Sequence, residues 1–161
     1  MTRKLFADAG FFIGLMAKDD YSQAAHEIFE HLKETHLISD FKDLYITNYI
    51  IMEVLHGLVQ KEISFDELVN NYEILKQCHI CNVKQKHINT AINIKLYRQR
   101  NRRTDRSPIG FVDATSLVIM DEQKIVHIIS FDGDFDKIPD LYRRIYNKDT
   151  IDQRILGSQC R

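Results

Sequence analysis

The chain has no tryptophan, only two prolines, six glycines and three cysteines among 161 residues, and its formal charge at pH 7 is -1. Three cysteines, one of them Cys160 beside the C-terminus, do not make the disulfide framework that small secreted domains use in place of a large core. A charge of -1 excludes any function that depends on a strongly basic protein. No apolar run approaches the roughly 20 residues that span a bilayer, and no charged-then-apolar leader precedes Lys4 to Ala7. These absences together set the expectation of a reduced, cytoplasmic protein. The lack of tryptophan excludes nothing when seven tyrosines and nine phenylalanines are present. With no internal repeat, low-complexity stretch or linker, and 44% hydrophobic content, the length suits one domain with a sizeable core. The expected division is 1–147 for that domain and 148–161 for a loose C-terminal tail.

What is present alternates between short apolar runs and amphipathic ones. Lys4 to Ala7 predicts a first strand that ends at Asp8, and Phe11 to Ala17 a brief helix. Asp20 is placed to cap the next helix, where Ala25, Ile28, Phe29 and Leu32 recur at helical spacing up to about Thr35. Leu44 to Thr47 predicts a second strand, and Asn48 the cap of a helix whose apolar face is Ile51, Val54, Leu55 and Leu58, with Glu53 in its second turn. Ser64 with Glu67 forms a capping box opening a helix to about Lys76. Cys78, Ile80 and Val83 fit an extended segment, and Gln85 to about Gln99 another amphipathic helix. Ser107 and Pro108 suit the N-cap and first position of the helix that carries Asp113. Ile125 to Ile129 predicts a buried parallel strand, and Arg143 to Tyr146 a last edge strand.

Strands alternating with helices predict a three-layer α/β/α sandwich with a mostly parallel central sheet. In such a sheet the ligand crevice lies outside the C-terminal ends of the strands. Asp8, Glu53, Asp113 and Asp132 all fall at or just beyond that edge, although they span most of the sequence. A lone aspartate past a strand is usually a turn or helix cap. Four acids converging on one edge point instead to a site. Four carboxylates drawn together would raise one another's pKa, a conflict that bound divalent cations remove. Magnesium or manganese is the fitting class, because both favour a few hard oxygen ligands and keep several waters.

FADAGFFIGL around Asp8, TNYIIMEVLHGL around Glu53, GFVDATSLVIM around Asp113 and ISFDGDFDKI around Asp132 resemble the four acidic motifs of the PIN-domain nucleases, most closely the VapC-type toxin ribonucleases. The resemblance spans roughly residues 3 to 147, in the family's order. It implies that Asp8, Glu53, Asp113 and Asp132 bind Mg2+ or Mn2+ and carry catalysis, with Ser130 as the small hydroxyl residue two before the last acid and Asp134 as an alternative accessory ligand. The implied activity is hydrolysis of RNA by an activated water, leaving a 5′-phosphate and a 3′-hydroxyl, without a nucleophilic side chain. A homodimer and a neutralising antitoxin protein are the implied partners, and a housekeeping RNA-processing nuclease or a catalytically inactive binding module are the alternatives.

Other patterns fail on spacing. Asp132, Asp134 and Asp136 begin like an EF-hand loop, but Lys137 and Arg143 stand where glycine and glutamate are required. Glu53 with His56 is a Glu-x-x-His pair lacking its second copy, and Cys78 with Cys81 is one C-x-x-C lacking the other half of a zinc site. Arg98, Arg100, Arg102, Arg103 and Arg106 crowd one connection, a candidate contact for RNA phosphates and equally a solvated loop.

Overall fold

A computed structural model describes residues 3–100, 109–138 and 143–157. Strands β1 (Leu5–Ala7), β2 (Leu44–Thr47), β3 (His79–Cys81), β4 (His127–Ile129) and β5 (Arg143–Ile145) form one sheet in the order β3-β2-β1-β4-β5. Every pairing is parallel, with Leu5 opposite both Leu44 and His127. The helices are α1 (Ala9–Met16), α2 (Ser22–Glu34), α3 (Asn48–Gln60), α4 (Phe65–Leu75), α5 (Gln85–Arg100), α6 (Phe111–Glu122) and α7 (Lys148–Ile151). All three residues of β1 and of β4 are buried. Successive side chains of a strand point to opposite faces, so both faces of the sheet centre are covered. This is the α/β architecture expected, with a sheet that is wholly parallel.

The sheet's order fixes where a site can form. From β1 the chain steps outward to β2 and β3, then returns to the other flank of β1 with β4 and β5. The connections on either side of β1 therefore diverge, and a crevice opens between the C-terminal ends of β1 and β4. α6 leads through a short turn into the start of β4, so its own first turn lies back at the C-terminal edge, a helix length of about 18 Å away.

Several caps differ from those the sequence suggests. Thr47, not Asn48, caps α3 by accepting from the Ile50 amide at 3.1 Å, while Asn48 is already helical and its Oδ1 accepts from the Val83 amide at 2.8 Å. Thr47 is fully buried at the end of β2, so its hydroxyl is the one that reaches the helix start. Asp20 caps nothing recorded in the structure. α2 begins at Ser22, after a turn in which Asp19 accepts from the Tyr21 amide and Ser22 Oγ accepts from the Asp19 amide. The capping box of Ser64 and Glu67 forms as predicted. α6 begins after Gly110; Ser107 and Pro108 lie outside the described residues.

The described part of the segment expected to be loose, residues 147–157, is folded. Asn147 and Thr150 build a capping box, and Ile151 and Ile155 are completely buried. Arg3 donates to the Ile155 carbonyl, and His31 Nε2 lies 2.7 Å from Asp152 Oδ1 on the facing helix. Two isoleucines four residues apart were sufficient to dock this piece, which composition alone presents as polar. Cys160 lies beyond the described residues.

Gly14, Gly57, Gly110 and Gly157 serve close approach rather than chain reversal. None adopts a positive φ, whereas His36, Glu62 and Lys124 do so at the ends of α2, α3 and α6. Gly14 is the tightest against fixed atoms: a methyl group there would stand 3.0 Å from Ala25 Cβ and 3.3 Å from the Tyr21 carbonyl oxygen. Its absence of a side chain lets α1 lie directly on the first turn of α2. Two opposite stability changes follow. Gly14→Ala is expected to destabilise the fold by about 1–3 kcal/mol through overpacking, and Glu62→Gly to stabilise it by up to about 1 kcal/mol by relieving a left-handed residue at a helix C-terminus. Chemical denaturation of both variants checks the signs; a neutral Gly14→Ala would show that the helices can part at no cost.

Candidate metal-binding acidic site

Asp8 follows β1 directly and caps α1, its Oδ1 accepting from the Ala9 amide at 2.9 Å. Its own amide donates to the Ile129 carbonyl at 2.9 Å, which extends the β1–β4 pairing by one more step. Oδ2 accepts from Ser130 Oγ at 2.8 Å. Only 9% of the residue is exposed. Burial pushes the Asp8 carboxyl up, the hydrogen bonds from Ser130 and Ala9 hold it down, and the charge of Asp132 adds to the rise.

Ser130 is completely buried and joins the two strand ends. While its hydroxyl donates to Asp8, the same oxygen accepts from the Asp132 amide at 3.1 Å. Asp132 then caps the 3-10 turn Gly133–Lys137, its Oδ1 accepting from the Asp134 amide at 2.8 Å. The cap that the sequence would equally allow at Asp134 is thus held by Asp132. Asp134 pairs with Lys137 at 2.9 Å and Asp136 with Arg144. Of three aspartates in five residues, the two later ones have cationic partners and the first stands with the acids.

Asp113 sits in the first turn of α6 and is partly buried. Its carboxyl is pushed up to about 7, first by burial and then by Asp8, Asp132 and Glu53 in that order, while the Gly110 amide opposes the rise. A methyl group at Gly110 would stand 3.2 Å from Asp113 Oδ2, so glycine at this cap gives the carboxylate room. Glu53 is raised by burial and then by Asp8. Glu53 lies with Met52 on the outer side of α3, while Ile50, Ile51 and Val54 turn inward. Its carboxyl nonetheless lies near enough to the acids to feel Asp8.

All four predicted acids therefore share one electrostatic field, delivered by β1, α3, α6 and the segment after β4. Among the described residues, no three His, Cys, Asp or Glu side chains stand as a ready-made metal cage. Asp8 and Asp132 are also engaged as caps. The donor chemistry fits a hard divalent cation: the acids are all oxygen ligands, and each rise caused by a neighbouring carboxylate is one that a cation reverses. Glu53 and Asp132 are the exposed members of the four.

The cysteine and histidine candidates form no metal group among the described residues. Cys78 and Cys81 are free, buried thiols, and burial first and Asp40 second push Cys78 up to about 12, which leaves it unreactive. His56 is exposed and contacts Gln60. The arginine-rich connection lies outside the described side chains. One contributor was not legible beforehand. Arg144 donates to the Ser130 carbonyl at 3.3 Å and to Asp136, and stacks over Tyr146 at 4.3 Å, bracing the segment that carries Asp132. A run of four residues read as an edge strand gives no sign of which arginine turns inward.

The sign of the Asp113 shift gives a pH dependence. With its carboxyl raised from 3.8 to about 7, the folded protein holds a proton that the unfolded chain has released, so stability from this group is lost as pH rises through about 7. His127, held down chiefly by burial, works in the opposite sense in wild type and variant alike. In EDTA, wild type is expected to lose more melting temperature than Asp113→Asn between pH 5 and about pH 8. Equal losses in the two proteins would mean that Asp113 does not feel its neighbours.

Three comparisons bear on this arrangement. The sequence matches the PIN domain family over residues 5–141. No curated protein matches it. Among solved structures, the fold is similar to VapC20 of Mycobacterium tuberculosis, described as a sarcin-ricin loop cleaving toxin, with TM-score 0.63 and 21% identity over 84% of this chain and 95% of that one. It is similar to a toxin-antitoxin complex from Klebsiella pneumoniae at TM-score 0.58 and 15% identity, over 84% of this chain and 92% of that one. PAE2754 from Pyrobaculum aerophilum aligns over 98% of both chains at TM-score 0.60 and 12% identity. At such identities these likenesses are of fold alone. The family match covers most of the sequence and includes all four acids, and the chain belongs to the PIN domain family.

Proposed function

We propose that this protein is a divalent-metal-dependent endoribonuclease, the toxin of a toxin-antitoxin pair, in which Asp8, Glu53, Asp113 and Asp132 hold Mg2+ or Mn2+. The observation that carries the proposal is the joining of Asp8 to the Asp132 backbone through the buried Ser130 hydroxyl, beside which burial and then Asp8, Asp132 and Glu53 push the Asp113 carboxyl up to about 7. Isolated caps on separate elements would not sense one another in this way. The toxin role rests on likeness to VapC20 and to a toxin-antitoxin complex; the expected partners are an antitoxin protein and a second copy of the chain.

When bound, the divalent ion supplies positive charge that activates water and offsets the charge developing on the phosphodiester. The chain's own part is to hold the acids and admit RNA. Ser130 fixes Asp8 and the Asp132 backbone relative to each other through one hydroxyl. The Gly110 amide holds Asp113 toward the groove, and the Asp8 cap keeps one carboxylate oriented by α1. No side chain need act as nucleophile, so the buried thiols and the scattered histidines are free of catalytic duty. The rival reading is a PIN fold that binds without cutting, which the presence of all four acids disfavours.

Cleavage of RNA by purified protein with manganese separates the two. Asp8→Asn and Asp113→Asn are expected to stay folded, lose cleavage, and lose the rise in melting temperature that manganese gives wild type, since binding to the folded state stabilises it. Ser130→Ala, one step removed, should lower activity about 10–100-fold. Full cleavage by both Asn variants would overturn the ligand assignment, and no metal-induced stabilisation of wild type would favour the binding module.

The two aspartates after β4 make a second test. Asp132→Ala is expected to lose activity and also about 1 kcal/mol of stability, because Asp132 is the cap. Asp134→Ala removes only an ion pair with Lys137 at the surface, worth about 0–1 kcal/mol, and should stay active. Parallel cleavage assays and melts decide; an inactive Asp134→Ala beside an active Asp132→Ala would move the fourth ligand by two residues.

A further inference from the structure

An aromatic pair stands at the rim of the acidic groove without a part in its chemistry. Phe131 lies between Ser130 and Asp132, is partly buried and packs against the core. The ring of Tyr21 stacks on it with centroids 4.7 Å apart and planes 9° from parallel. Phe131 also reaches toward Gly10, two residues after Asp8, where a methyl group would be 3.9 Å from its Cδ2. The stack is therefore attached to both strand ends that carry Asp8 and Asp132.

Tyr21 is held there by its backbone from three directions. Asp19 accepts from its amide at 2.8 Å, its carbonyl accepts from the Ala25 amide at 2.8 Å, and Gly14 leaves the space in which that carbonyl sits. Yet half of the residue, 50%, is exposed. Since one ring face is covered by Phe131, the exposure belongs to the other face and the edge. Flat, exposed aromatic rings next to a phosphodiester site are what an unpaired base stacks upon, a contact indifferent to base identity.

Resting on the endoribonuclease reading above, we propose that Tyr21, backed by Phe131, is a stacking platform for one unpaired base of single-stranded RNA adjacent to the cleaved phosphate. Tyr21 is then a positioning residue: it sets where the strand lies, not how fast the bond breaks once it is in place. The same fixed ring makes RNA bound as a duplex a poor substrate, because no base face is free.

The test uses full-length protein, manganese and single-stranded RNA oligonucleotides in which one abasic nucleotide is walked across the cleavage site. Wild type is expected to show one position where losing the base raises KM about tenfold. Tyr21→Ala should raise KM by a similar factor on intact RNA, leave kcat within about twofold, and be insensitive to the abasic position. Tyr21→Phe should behave as wild type. Because the chain has no tryptophan, Tyr21→Trp adds a single fluorophore at the platform, and single-stranded RNA should quench it. An abasic position that costs Tyr21→Ala as much as wild type, or a Trp variant unaffected by RNA that the protein still cleaves, overturns the platform. Failure of wild type to cleave any RNA would instead strike at the nuclease reading, before the platform is reached.

Discussion

One buried hydroxyl ties the two central strand ends together. Ser130 Oγ gives its proton to Asp8 and takes one from the Asp132 amide, at the point where the sheet order reverses beside β1. A hydroxyl is the smallest group that can do both at once. A methyl group in its place would leave a nine-tenths-buried carboxylate short of a donor and the Asp132 turn short of an acceptor, where unmade hydrogen bonds are most costly. The acids of α3 and α6 are then arranged around a pair whose relative position is already set.

The opposing force is repulsion. Asp113 is raised first by burial and then by three neighbouring carboxylates, and no three of the acids close into a cage among the described residues. The fold brings together charges that it does not itself neutralise, although it neutralises Asp134 and Asp136 two and four residues along. Stability is spent here on an arrangement that a cation would relieve.

Scarcity of glycine shapes the rest. Turns that glycine would make without strain are made by His36, Glu62 and Lys124, while Gly14 and Gly57 stand where helices touch and Gly110 where a carboxylate needs room. Gly14 is the clearest instance, since it determines how closely α1 meets α2 and hence where the Tyr21 ring stands over Phe131.

By itself the sequence determined the alternation of strands and helices, the capping box at Ser64, the parallel sheet and the four acids at one edge. Each of these is written in local periodicity or in the order of elements, which short-range preferences specify. Tertiary structure decided what depends on partners distant in the chain. Thr47 rather than Asn48 became the cap because Asn48 found the Val83 amide, and Asp132 rather than Asp134 capped the turn while Asp134 paired with Lys137. Two isoleucines docked a tail that looked polar. Arg144 turned inward to Ser130 and Tyr21 came to lie on Phe131, 110 positions later in the sequence. A side chain's choice among several adequate partners is made by what the fold brings within about 3–5 Å, and no pattern along the chain encodes that distance.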